Sequence, residues 1–245
     1  MDTVYTGPDW KNNWLYSKYS VCPDGGMNHR YYTFQLALNL LNQRHPANPV
    51  IVETGCQRMA DDFGAGMSTS VWGEHIKQSG GGHLVLVDND ETHLEIGKGF
   101  AETAMENVGS LSTYLDDSVA FLRKWESPRL DLLYLDSYDY PYVEMMWDWQ
   151  AKHGLETTEE ANTQLQQKTP DELRAIYGAW MDPCQEHCLK EFKAIEARLS
   201  PGVILLVDDN ALPGGGKPGT LKPYLVDKGW TCLLDSQQTL WVKEI

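Results

Sequence analysis

Acidic residues close most of the apolar runs in this chain, and strand ends are where carboxylates do chemistry in open α/β proteins. VIVET (50–54) leads into Glu53-Thr54-Gly55 and a loop that finishes Gly64-Ala65-Gly66-Met67-Ser68. HLVLVD (83–88) closes on Asp88, STYLD (112–116) runs into Asp116-Asp117-Ser118, LDLLYLD (130–136) closes on Asp136, and GVILLVDD (202–209) on Asp208-Asp209-Asn210. Glycines ahead of a helix let the backbone approach a ligand, and the first turn of the helix offers free N–H groups. Glu53, Gly55, Gly64, Gly66 and Ser68 therefore point to a nucleotide-like cofactor, with a plain tight turn as the bland alternative. A carboxylate fixed where Asp88 stands accepts hydrogen bonds from both hydroxyls of a ribose. It can equally cap the next helix, a duty that Asn89 or Asp90 can take over. Asp116 and Asp117 divide likewise, one for an adenine amino group and one for the cap, with Ser118 beside them.

Asp136, Asp208 and Asp209, with Asn210 as a replacement ligand, bring oxygen donors together from adjacent strand ends. That is the donor set a hard cation such as Mg²⁺ takes while keeping waters that a substrate hydroxyl can displace. The alternative leaves Asp136 to a cofactor amine and the other two as caps. His187 is a candidate base, although a lone histidine on an amphipathic helix is commonly structural. Tyr138 and Tyr140 read as pocket lining. Cys184 and Cys188 flank His187 like half of a zinc site, but no second ligand pair follows at matching spacing. The five cysteines (Cys22, Cys56, Cys184, Cys188 and Cys232) read as free thiols of a reducing compartment.

The elements that must hold these groups alternate from residue 49 onward. Short apolar runs are separated by helical stretches over 68–78, 91–105 and 118–125, the pattern of a parallel sheet covered on both faces. Residues 1–48 form an arm rich in Tyr, Trp and Asn and a cap helix over 31–41. The alternation stops at 140–183, a helical insertion too long for a plain connection. Helices are expected at 185–199 and 221–228, and two last strands, WTCLLD and TLWVKEI, are joined by a turn at 236–238, which makes one strand antiparallel. The insertion carries Trp147, Trp149 and Trp180, so it either lids an acceptor pocket, with Trp10, Trp14 and Tyr19 as partners, or binds a second subunit in a homo-oligomer.

The 245 residues hold 20 Lys and Arg against 35 Asp and Glu, a formal charge of −15 that repels a phosphate backbone. Duplex nucleic acid is excluded as a partner, and DSYDYP lacks the paired prolines of the amino-methylating DNA enzymes. No apolar stretch approaches a membrane span, and the N-terminus has neither a basic start nor an apolar core, so a cytoplasmic protein is expected.

Taken together, ETG…GAGMS, Asp88, Asp117-Ser118, DLLYLDSYDY and LSPGVILLVDDN resemble the class I S-adenosylmethionine-dependent methyltransferases over almost all of 49–245. The strand ends are similar to those of metal-dependent O-methyltransferases of the catechol and macrolide-sugar types. The resemblance implies a Rossmann-like, doubly wound, mostly parallel sheet with helices on both faces. It implies S-adenosylmethionine with its methionine end near Glu53, Gly55 and Ser68, ribose at Asp88 and adenine near Asp117 and Ser118. It further implies Mg²⁺ on Asp136, Asp208 and Asp209, and transfer to a hydroxyl of a small molecule, sugar or glycoside-like. The chain departs from that group at CQRMADDF, which lengthens the glycine loop, and at Asp139, where catechol-type enzymes carry a lysine general base; Asp139 in that place implies a carboxylate that accepts the proton of a hydroxyl acidified by the ion. A metal-independent N- or O-methyltransferase and a non-catalytic cofactor-binding scaffold are the other readings.

Overall fold

In each central strand, odd and even residues face opposite layers, and here both layers are apolar, so the strands are buried on both faces. The computed structural model describes residues 14–21, 28–45, 47–60 and 67–243. Strands β1 (Val50–Thr54), β2 (His83–Asp88), β3 (Ser110–Leu115), β4 (Leu132–Leu135), β5 (Ile204–Val207), β6 (Trp230–Asp235) and β7 (Thr239–Lys243) form one sheet in the order β3-β2-β1-β4-β5-β7-β6. Pairing is parallel from β3 through β5, while β7 is antiparallel to both β5 and β6. This is the doubly wound sheet with a single reversed strand that the sequence implies.

One face carries Ile51, Leu84, Leu86, Tyr134, Leu206 and Leu240 against helices α1 (Trp14–Tyr19), α2 (Tyr31–Arg44), α3 (Ser68–Gln78) and α4 (Glu91–Met105). Phe34, Trp72 and Tyr134 meet there edge to face, with centroids 5.2 to 6.1 Å apart. The other face carries Val52, Val85, Leu133, Leu205 and Trp241 against α5 (Ser118–Arg123), α8 (Pro170–Ile195) and α9 (Leu221–Asp227).

The expected strands and helices recur with shifts at their ends. β3 starts two residues before STYLD, because Ser110 N–H already bonds to the Gly82 carbonyl and sets the register with β2. The insertion comprises α6 (Tyr142–His153), α7 (Thr158–Gln166) and the first half of α8. Its boundary at Pro183 is corrected: α8 is one 26-residue helix that passes through Pro183. The loss of one donor there is outweighed at both ends. Pro170 and the Thr169–Glu172 capping box start the helix, and Cys184, Cys188, Phe192 and Ile195 bury its second half. Trp14 and Tyr19 pack on the α2 side of the sheet and not against the insertion, and Trp10 lies outside the described residues.

Candidate active site

The carboxyl ends of β1 to β4 border a cavity of about 270 Å³ lined by Gly55, Asp88, Asp117, Ser118, Asp136 and His187, among others. Gly55 turns the chain at φ +80°, and a Cβ there would lie 2.5 Å from the Asp136 carbonyl oxygen. Only glycine lets the β1 loop pass this close to the end of β4. Asp90 takes the N-cap of α4, accepting from His93 N–H, so Asp88 is relieved of capping. Asp88 instead accepts from Cys56 N–H at 3.2 Å and Asp90 N–H at 2.9 Å, which fixes its carboxylate at the cavity wall. Asp117 caps α5 through one oxygen, and Asp116 is paired with Lys124.

Ser118 Oγ lies 3.0 Å from His187 Nε2, and Ser137 Oγ lies 3.1 Å from the same nitrogen while donating to Glu191 at 2.7 Å. His187 also stacks on Tyr138. It sits in the second half of α8 and lines the same cavity as Asp139.

Glu53 is placed differently from the sequence expectation. It is fully buried and does not line the cavity, because odd parity turns it toward α3, where Ser68 and Thr69 hydroxyls donate to its two oxygens. Burial pushes its carboxyl up to about 8, against the opposing pull of Ser68 and Thr69. Gly64 and Gly66 lie outside the described residues.

The strand ends of β4 and β5 do converge. Tyr134, Asp136, Leu206 and Asp208 share one face by parity, and α2 lies over that face. Arg30, just before α2, donates to both Asp208 oxygens at 2.7 and 2.9 Å and to Asp209 at 3.0 Å. Tyr134 hydroxyl donates to Asp208 at 2.8 Å. Asp136, Asp139 and Asp209 bring carboxylate oxygens within 4.8 Å of one another. Into that group reaches Lys217, 1% exposed, with its ammonium 2.9 Å from Asp136, 3.0 Å from Asp209 and 3.5 Å from Asp139. Arg58 completes the set on the far oxygen of Asp139.

Burial opposes the charge on Lys217, but Asp136, Asp209 and Asp139 outweigh it and hold the ammonium well above its ordinary range. Burial raises the Asp139 carboxyl, and Lys217 and Arg58 more than reverse this, leaving it below the usual carboxylate range. The Mg²⁺ expectation fails this test of fit. Among the described residues four carboxylates here face three cations, and the oxygens a divalent ion would need are already bonded to Lys217 and Arg30. Asn210 is no replacement ligand either, since it bonds Asp235 and Lys222 beside the β6–β7 turn.

Sequence reasoning missed the cations. The available signal for Lys217 was Gly214-Gly215-Gly216 directly before it. All three glycines have positive φ, and a Cβ on Gly216 would lie 1.9 Å from the Asp209 carbonyl oxygen, so the turn folds Lys217 back over the strand end. The half-zinc reading of Cys184 and Cys188 finds no support in the geometry: Cys184 Sγ donates to the Asp139 and Trp180 carbonyls, and Cys188 is buried in the core.

A second cavity of about 470 Å³ is lined by Tyr140, Tyr142, Tyr177 and Leu212 together with Arg58, Asp139 and Asp209. Arg58 and Asp139 line both cavities, so their ion pair is the common wall.

No protein-family model and no curated protein matches the sequence. Solved structures do match the fold. Two structures of the calicheamicin methyltransferase CalS11 superpose with TM-scores of 0.51 and 0.50. The first, described as a TDP-rhamnose 3'-O-methyltransferase, is 13% identical over 98% of this chain and 88% of its own. The second is 12% identical over 87% and 79%. The chain therefore has the class I methyltransferase fold.

Proposed function

We propose that this chain is an S-adenosylmethionine-dependent methyltransferase acting on a hydroxyl of a small molecule. The observation that carries the reading is the pair of adjoining cavities with one ion pair between them. The first offers what the cofactor needs: close backbone approach at Gly55 and a carboxylate at Asp88 held by two amides and relieved of capping. Bound S-adenosylmethionine supplies a methyl group on a positively charged sulfur that leaves as a neutral thioether.

Asp88 accepts from the ribose hydroxyls, and Asp117 and Ser118 border the adenine, with His187 holding Ser118 and Ser137 in place. The acceptor occupies the second cavity, where Tyr140, Tyr142 and Tyr177 provide flat faces for a ring and Asp139 faces both compartments. A sugar or glycoside-like acceptor is supported by that lining and by the sugar methyltransferase among the structural neighbours. As the oxygen is methylated, Asp139 takes its proton. Its lowered basicity makes it a modest base, so most of the rate comes from orientation of acceptor and cofactor. Magnesium assistance is left out of this reading, because Lys217 and Arg30 engage the oxygens it requires. The 140–183 segment, with Tyr140, Tyr142 and Tyr177 on the acceptor cavity, acts as its cover.

Calorimetric titration with S-adenosylhomocysteine tests the proposal. Binding at micromolar strength is expected, and Asp88→Ala should weaken it by roughly 10- to 100-fold, the equivalent of about 1.5–3 kcal/mol for hydrogen bonds to a charged group. Gly55→Val should remove binding altogether. Heat on injection of NAD with none from S-adenosylhomocysteine would reject the methyltransferase reading.

A further inference from the structure

We propose that the Lys217 ammonium is the resident cation of the Asp136–Asp139–Asp209 cluster, occupying the place of a divalent ion and closing the cluster to metals. The backbone sets this up. Gly216, at φ +64° and in contact with the Asp209 carbonyl, admits no side chain, and Lys217 N–H bonds back to that same carbonyl at 3.3 Å. Lys217 is thereby anchored above the strand ends and does not merely lie across them. Its stem is buried, and its ammonium also donates to the Asp136 main-chain carbonyl at 3.3 Å, a contact a freely moving surface lysine has no reason to keep.

The surrounding bonds agree with a permanent occupant. Asp208 is taken by Arg30 and Tyr134, and Asp209 is shared between Arg30 and Lys217. A hard divalent ion demands several oxygens at short, near-regular distances and gives up its own water reluctantly. To enter it would have to expel a buried ammonium and leave that charge without partners, at a cost that the breaking of buried pairs makes large. One cation is thus built into the chain where another scheme would recruit it from solution.

On the methyl-transfer reading above, Lys217 is a positioning residue: it fixes Asp136 at the first cavity and Asp139 on the wall between the two. Exclusion of metal does not depend on that reading, and its test uses binding and not turnover. Full-length protein is titrated with Mn²⁺ alone, following the free ion by electron paramagnetic resonance. The wild-type chain is expected to take up no ion at this site, and Lys217→Ala to take up one per chain, lost again when Asp209→Asn is added.

Stoichiometric uptake by the wild type that Asp209→Asn abolishes would overturn the proposal, as would a folded Lys217→Ala chain that takes up none. If Lys217→Ala does not fold, amine labelling of the wild type decides. Lys217 should stay unlabelled with and without Mn²⁺, whereas labelling that appears only with the metal would mean that the ion displaces it. Loss of S-adenosylhomocysteine binding bears on the methyltransferase reading alone and leaves these outcomes unchanged.

Discussion

Glu53 shows how a carboxyl near a site can serve the frame and not the ligand. With both oxygens occupied by Ser68 and Thr69, it ties the end of β1 to the start of α3. Its pKa of about 8 in the folded chain exceeds the unfolded value, so the folded state binds the extra proton. The associated stability is present below pH 4.5 and is lost as the pH rises through about 8. Glu53→Gln should therefore flatten this part of the pH dependence and stabilise the chain at alkaline pH, by at most about 1.4 kcal/mol for each tenfold difference in proton affinity between the folded and unfolded states. Urea unfolding at several pH values reads this directly, and an unchanged slope between wild type and variant would refute it. At this scale the carboxylates were legible, since each ends an apolar run. Their cationic partners were not: Arg30 meets Asp208 across 178 residues of sequence, and Lys217 is aimed by backbone angles that composition does not reveal.

The helices of the insertion have a core of their own. Met145, Met146, Ala161 and Leu165 are buried together, with Trp149, Tyr177 and Trp180 packed around them and apart from both sheet-face cores. Met146→Ala should cost about 2–4 kcal/mol, as large-to-small changes at buried sites do. Trp147 is 63% exposed, so Trp147→Ser should stay within about 0.5 kcal/mol, both values being measured by chemical denaturation. The proposed role of the insertion as a cover over the second cavity predicts that amide exchange in α6 and α7 slows when acceptor and S-adenosylhomocysteine are bound together. Protection indifferent to ligand but falling on dilution would assign these helices to a subunit interface instead. The alternation of strands and helices was readable because period-two and period-3.6 patterns are local. The passage of α8 through Pro183 was not, because burial of Cys188, Phe192 and Ile195 against the sheet overrides a local helix breaker.

Across the whole molecule, Arg30 clips the segment before α2 to the end of β5. Asp208 is 1% exposed, so Arg30→Ala leaves a buried carboxylate short of its strongest partner and should cost about 3–5 kcal/mol. A double-mutant cycle with Asp208→Asn should recover much of that loss, and strict additivity would show that the pair is not coupled. Among the described residues no helix is long and apolar enough to cross a membrane. The shared wall of Arg58 and Asp139 carries a consequence for how two ligands are felt together. A molecule that loosens or tightens this pair from one side alters the free energy of filling the other side, and linkage makes the effect reciprocal. On the proposed reading, whatever factor an acceptor applies to cofactor affinity the cofactor must apply to acceptor affinity, and the two chambers would then act as a single thermodynamic device whichever is filled first.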